Sequence, residues 1–177
     1  MQIIDFITET NLNRSSVQSK IQEISLEKLK KNPLPNKKSE IWRLASKAKF
    51  SRFLDYKFSD EFHNPVIPGS QELENVLRII IGDNKNLNIK TKKWEIKKLE
   101  DQELINLFRQ KLDDSDTTEN WSNLLNHSLA NKKDILGLNI SGTEIPHIEI
   151  ISNSKNNLFN SKTLFVNIEK GSKVTIS

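Results

Sequence analysis

Residues 14–31 place Val17, Ile21 and Ile24 at spacings of four and three, with Leu26 and Leu29 extending the apolar content, and this period predicts an amphipathic helix. Pro33 and Pro35 end it, because proline has no N–H to donate and its ring clashes with the preceding turn. Ser39 offers an N-cap ahead of Ile41, Leu44, Ala45 and Ala48, which stand at i, i+3, i+4 and i+7. A second helix is therefore expected over residues 39–54. From residue 56 to residue 70 the pattern has no sustained period and carries Pro65, Pro68 and Gly69, as a loop does.

Beyond that loop the period changes. Residues 76–81 and 87–89 predict two short strands around a Gly82-Asp83-Asn84 turn, and Trp94-Glu95-Ile96 predicts a third. Leu104, Ile105, Leu107, Phe108 and Leu112 return to helical spacing. Trp121, Leu124, Leu125, Ser128 and Leu129 do so again along one face, which makes Trp121 a core residue. Strands follow at 136–140, 145–151 and 164–168, with turns at Ser141-Gly142-Thr143 and Gly171-Ser172, and a fourth strand begins at 173–176. An apolar strand with an unpaired ladder is an open edge. The chain is accordingly expected to be a shortened product, with further strands covering that edge or a second copy pairing with it. The expected organisation is α+β: an amino-terminal helical region (1–58), a mixed strand and helix region (59–132) and the start of a β core (133–177).

Composition narrows the chemistry. None of the 177 residues is cysteine, which excludes disulfides, thiol nucleophiles and thiolate-held metal or iron–sulfur centres within the chain. No apolar run approaches the roughly 18–20 residues of a spanning helix, and the start lacks the basic, apolar and small-residue succession of a secretion signal, so a cytoplasmic protein is expected. His63, His127 and His147 show no ligand spacing, and no phosphate-binding glycine loop or nucleophile motif occurs. Asp113, Asp114 and Asp116 sit in a polar segment, where acids cap helices and meet water. No catalytic, cofactor or metal residue is expected.

The net charge of +4 comes mostly from lysine, not from the arginine that favours planar phosphate and base recognition. Its one concentration is residues 28–49, where eight basic residues face a single acid, Glu40. With Phe50, Phe53 and Tyr56 nearby, that run leaves a nucleic-acid-binding module open as an alternative, although solvated surface or an acidic protein partner accounts for it as well.

Three segments carry a resemblance. Leu34-Pro35-Asn36-Lys37-Lys38-Ser39-Glu40-Ile41-Trp42-Arg43-Leu44 is similar to the proline, basic pair and Glu-x-Trp-Arg helix start of the SufB/SufD family of iron–sulfur cluster assembly proteins. Leu124-Leu125-Asn126-His127-Ser128-Leu129-Ala130, followed by strand 135–140 and Ile145-Pro146-His147-Ile148, resembles the short helix that precedes the family's β core. Thr163 to Ile168 with Glu169-Lys170-Gly171-Ser172-Lys173-Val174 resembles its first β-helix rungs, and the SufD branch is the nearer one. Ala45 and Ser128 depart from the pattern, standing where a hydroxyl or aromatic residue and a small apolar residue are usual.

The resemblance implies an amino-terminal fragment of a scaffold without turnover, leading into a parallel β-helix. Its implied partners are SufB-like proteins and the ABC-type ATPase SufC, with the iron–sulfur cluster handled by the assembled complex and no cofactor held by this chain. Pro35, Glu40, Trp42, Arg43, Leu44, Leu125, Asn126, Pro146 and Gly171 are the motif positions it marks as structural or partner-facing. Because such proteins work beside an ABC-type ATPase, a soluble accessory role in transport is a further alternative.

Overall fold

The computed structural model describes residues 3–12, 19–31, 57–58, 75–82, 87–113, 121–152 and 158–177. Among them are four α-helices and eight strands, a mixed α+β chain. The helix expected over 39–54 lies outside the described residues.

Helix α1 (Ile3–Leu12) buries Ile3, Phe6, Ile7 and Asn11 along one face. The hydrophobic pattern does not predict it, because its apolar residues fill a single turn and Thr8-Glu9-Thr10-Asn11 has low helix propensity. A helix this short depends on tertiary packing. Helix α2 (Lys20–Lys31) buries Ile21, Gln22, Ser25 and Leu29. Its start is set by Ser19, whose Oγ accepts a hydrogen bond from the Gln22 N–H at 3.0 Å. Lys28, Lys30 and Lys31 in the last turn suit the negative end of the helix dipole.

Helix α3 (Asp101–Asp113) buries Leu104, Phe108 and Leu112 at successive i+4 positions. Glu103 reaches back to accept the Glu100 N–H at 2.9 Å, half of a capping box. Helix α4 (Trp121–Leu129) buries Trp121, Leu124, Leu125, Ser128 and Leu129, the face its spacing predicts. The four helices share one apolar cluster.

The strands are β1 (Lys57–Phe58), β2 (Val76–Ile80), β3 (Ile89–Lys90), β4 (Trp94–Lys98), β5 (Ile135–Gly142), β6 (His147–Ile151), β7 (Leu158–Phe159) and β8 (Thr163–Ile168). One sheet has the order β3-β4-β5-β8, antiparallel except for the parallel β5–β8 pair. Strand β2 runs parallel to β6, and β1 parallel to β7. The two strands expected around Gly82 are thus not each other's partners: β2 joins β6, while β3 joins β4. Strand ladders are closed by whichever distant segment completes their hydrogen bonds, and local alternation does not name that segment. Of the fourth strand expected at 173–176, Ile176 alone forms a bridge, parallel to Ile148 of β6.

Strand β5 is buried on both faces. Leu136, Leu138 and Ile140 enter a second apolar cluster with Ile79, Ile96 and Ile148, whereas Ile135 belongs to the helical cluster. Gly137 lets the helical side close in, since a Cβ there would lie 2.6 Å from Leu104 Cδ1 and 3.0 Å from Leu99 Cβ.

The β5–β8 register pairs Ile135 with Thr163 and continues to Ile140 with Ile168. The same separation, 28 residues as between Asn139 and Asn167, recurs around the corner where Ile148 pairs with Ile176. Two successive stretches of chain therefore stack in register through two different sheets. Each turns its corner with a glycine at positive φ, Gly142 at 107° and Gly171 at 89°.

Those two glycines differ in surroundings, and this yields a prediction. A Cβ on Gly142 would lie 2.2 Å from the Lys93 carbonyl oxygen and 2.6 Å from Trp94 Cα, whereas one on Gly171 meets nothing within 4 Å. Gly171→Ala is expected to cost about 1–2 kcal/mol, the left-handed backbone term alone. Gly142→Ala is expected to cost at least twice as much, because β4 backbone must move as well. Thermal melts of both variants check this, and equal losses would show that the β4–β5 approach yields to a methyl group.

Candidate functional site

Of the motif positions, Pro35, Glu40, Trp42, Arg43 and Leu44 lie outside the described residues, as do His63, Asp114, Asp116 and most of the basic 28–49 run. Leu125 and Asn126 are on α4. Pro146 is half-buried in the connection from β5 to β6, and Gly171 is exposed after β8. Neither Pro146 nor Gly171 joins Asn126 in a common site. What the structure builds around Asn126 is a junction between helix and sheet.

Leu125 anchors its side of α4 in the helical cluster and leaves Asn126, the next residue, toward the start of β8. Asn126 Nδ2 donates to the Lys162 carbonyl at 3.0 Å and to Thr163 Oγ1 at 3.1 Å. Ser161 Oγ donates to Asn126 Oδ1 at 2.6 Å. Lys162 Nζ in turn reaches Asp134 Oδ1 at 2.6 Å, with the two side chains only 12% and 5% exposed. Asp134 closes the 3₁₀ turn Lys132–Asp134, directly ahead of β5. The network thus ties α4, the entry to β5 and the entry to β8 into one knot.

Ser128 illustrates how α4 accommodates a hydroxyl inside the core. It is fully buried, its Oγ donates to the Leu125 carbonyl at 2.8 Å, and its own carbonyl accepts Asn11 Nδ2 at 3.1 Å. The hydroxyl is satisfied inside the helix, so its burial adds no orphaned donor.

His127 occupies the opposite kind of environment. Its ring lies 5.1 Å from that of Phe108 at 85° and 5.6 Å from that of Phe165 at 32°, bridging α3 and β8. Its Nδ1 is buried without a hydrogen-bond partner. Burial lowers its pKa from 6.5 to about 4, so the ring is neutral at physiological pH. His147, by contrast, is at the surface end of β6, its Nε2 2.8 Å from Ser177 Oγ.

Chemically the junction holds rather than reacts. Ser161 Oγ, Lys162 Nζ and Asn126 Nδ2 are spent on neighbouring groups, and His127 is half-buried against the Phe108 and Phe165 rings. Among the described residues, no group of three or more His, Asp or Glu side chains gathers as a metal site requires, and no helix is long and apolar enough to cross a membrane.

No protein-family model matches the chain, and no curated protein matches it.

Asp134, Ser161 and Lys162 carry no motif of their own, and Thr163, which opens the third resembling segment, bears no local sign of a junction. The signal for them is an internal repeat: Leu136-x-x-Asn139-Ile140 recurs as Leu164-x-x-Asn167-Ile168. Aligning these copies superposes Asp134 on Lys162, the pair that forms the buried bridge.

Two predictions follow from this geometry. Replacing Lys162 by Met strands a buried Asp134 carboxylate and is expected to cost about 3–5 kcal/mol, whereas the double variant Lys162→Met/Asp134→Leu recovers most of that loss. Denaturant titrations of the single and double variants measure both, and a double variant as weak as the single one would mean that packing, not charge, sets the cost.

For His127 the unfolded chain binds the extra proton between its pKa of 6.5 and the folded value of about 4, so stability is lost as pH falls through that window. The loss by pH 4.5 is about 2–3 kcal/mol. His127→Phe should flatten the stability profile by that amount between pH 7 and pH 4.5. Superimposable profiles would show that the ring protonates in place.

Proposed function

We propose that this chain is the amino-terminal part of a SufD-like scaffold subunit of the SufB–SufC–SufD iron–sulfur cluster assembly complex, a cytoplasmic protein without turnover and without a cofactor of its own. The observation that carries this reading is the in-register stacking of two successive chain segments at a 28-residue separation, once through β5 and β8 and again through Ile148 and Ile176. Parallel stacking at a constant offset, with a corner between two sheets, is how a parallel β-helix begins, and it falls on the residues whose sequence resembles the family's first rungs.

The helical motif supports the same reading. Leu125 packs α4 into the helical cluster while Asn126 binds the start of β8, giving the Leu-Asn pair a physical role: it seats the helical region on the strands that follow. A scaffold needs such a rigid seat more than it needs a reactive group, and the junction's polar atoms are engaged in holding it.

The test is co-purification. The full-length gene product, mixed with SufB and SufC from the same source and resolved by size-exclusion chromatography with mass measurement, is expected to elute in one complex. Failure to join either partner would sink the assignment.

A further inference from the structure

A second feature borders the Asn126 junction across the Lys132–Asp134 turn and does not depend on the reading above. A cleft of about 520 Å³ opens where α2 and α3 begin, beside the turn that leads into β5. Its floor is apolar and is made by Ile21, Leu99, Leu104, Ile105 and Ile135. Its rim carries Lys20, Lys98, Lys132 and Lys133 against a single acid, Asp101, which is paired with Lys132. Lys20 is paired with Glu23 outside the cleft at 2.7 Å, and its side chain is 54% exposed.

We propose that this cleft binds a free, soluble amphipathic anion, an apolar chain bearing a phosphate or carboxylate head. The volume falls within the range of about 300–1,000 Å³ in which proteins hold small organic ligands. The floor supplies apolar surface that an inorganic anion cannot use, and the excess of lysine at the mouth supplies the charge that a neutral hydrocarbon cannot use. Both α2 and α3 start here, so their dipoles add potential of the same sign. A nucleic acid is a poorer fit, because no aromatic residue lines the cleft to stack on a base.

The shape of the site depends on Gly137. A side chain on β5 at that point would push Leu99 and Leu104 from their places in the cleft wall. The lysines, in contrast, are on the exposed side of their elements and can be changed without touching the core.

Isothermal titration of the chain with decyl phosphate below its micelle concentration is the first measurement, with inorganic phosphate and decanol as comparison ligands. One-to-one saturable binding of decyl phosphate, weaker by about tenfold or more for either comparison ligand, is the expected result. In the Lys20→Ala/Lys98→Ala variant, decyl phosphate should weaken by about two- to fivefold per lysine while decanol is unaffected. Amide chemical-shift changes should centre on Leu99, Leu104 and Ile105. The proposal is overturned if decyl phosphate shows no saturable site, if inorganic phosphate or decanol binds as tightly, if the shifts map elsewhere, or if the chain is retained on phosphatidylglycerol vesicles without one-to-one binding of decyl phosphate.

Discussion

The burial of β5 on both faces is the constraint from which the other contacts of this protein follow. A strand with one wet face needs one apolar side, but β5 separates two clusters and must satisfy both. Leu136, Leu138 and Ile140 serve the strand cluster, and Ile135 and Gly137 serve the helices. A methyl group at Gly137 would require Leu104 and Leu99 to shift, because both side chains approach the strand so closely there. Such close packing has little tolerance for added volume, which would drive neighbouring side chains off their rotamers. Along its edges the same strand accepts β4 antiparallel and β8 parallel, so it also sets the register of its sheet.

Polar side chains then fix how the helical layer sits on that strand. Apolar packing between α4 and the sheet is non-directional, whereas Asn126, Ser161 and the Asp134–Lys162 pair make directed bonds that only one placement of β8 satisfies. A buried ion pair adds little net stability against an apolar replacement, so what the Asp134–Lys162 pair supplies is direction in the seating of β8. The exposed amide pair between Asn139 and Asn167, at 2.6 Å, repeats the same logic at the surface, since slipping β8 by one residue would break it and turn each side chain to the other face. On β2 and β6, Arg78 and Glu149 stand at paired register positions and meet at 2.6 Å, a third polar lock on strand placement.

The placement of His127 adds a different property. An imidazole between Phe108 and Phe165 packs as a flat apolar group only while it is neutral, and it touches both α3 and β8. Protonation of that ring at acid pH consequently works against the helix–sheet contact. The junction and the cleft draw on adjoining residues, since the 3₁₀ turn presents Lys132 and Lys133 to the cleft and Asp134 to Lys162.

Much of the secondary structure was legible locally. The apolar spacing in α3 and α4 marks their buried faces, Trp121 is in the core as its spacing requires, and the alternation of Leu164, Val166 and Ile168 marks β8. In each case the period of the residues equals the period of the backbone they occupy. The absence of cysteine and of ligand spacing limited the possible chemistry for the same local reason, that such motifs are written in neighbouring positions. Helix α1 was not legible, because a single apolar turn gains its stability only from the helices it meets. Nor were the pairing of β2 with β6, the bond from Asn126 to the strand after it or the cleft. Those depend on residues brought together across long stretches of chain, and the choice among possible partners is made by closing every buried hydrogen bond and filling every core space at once, which only the tertiary structure does.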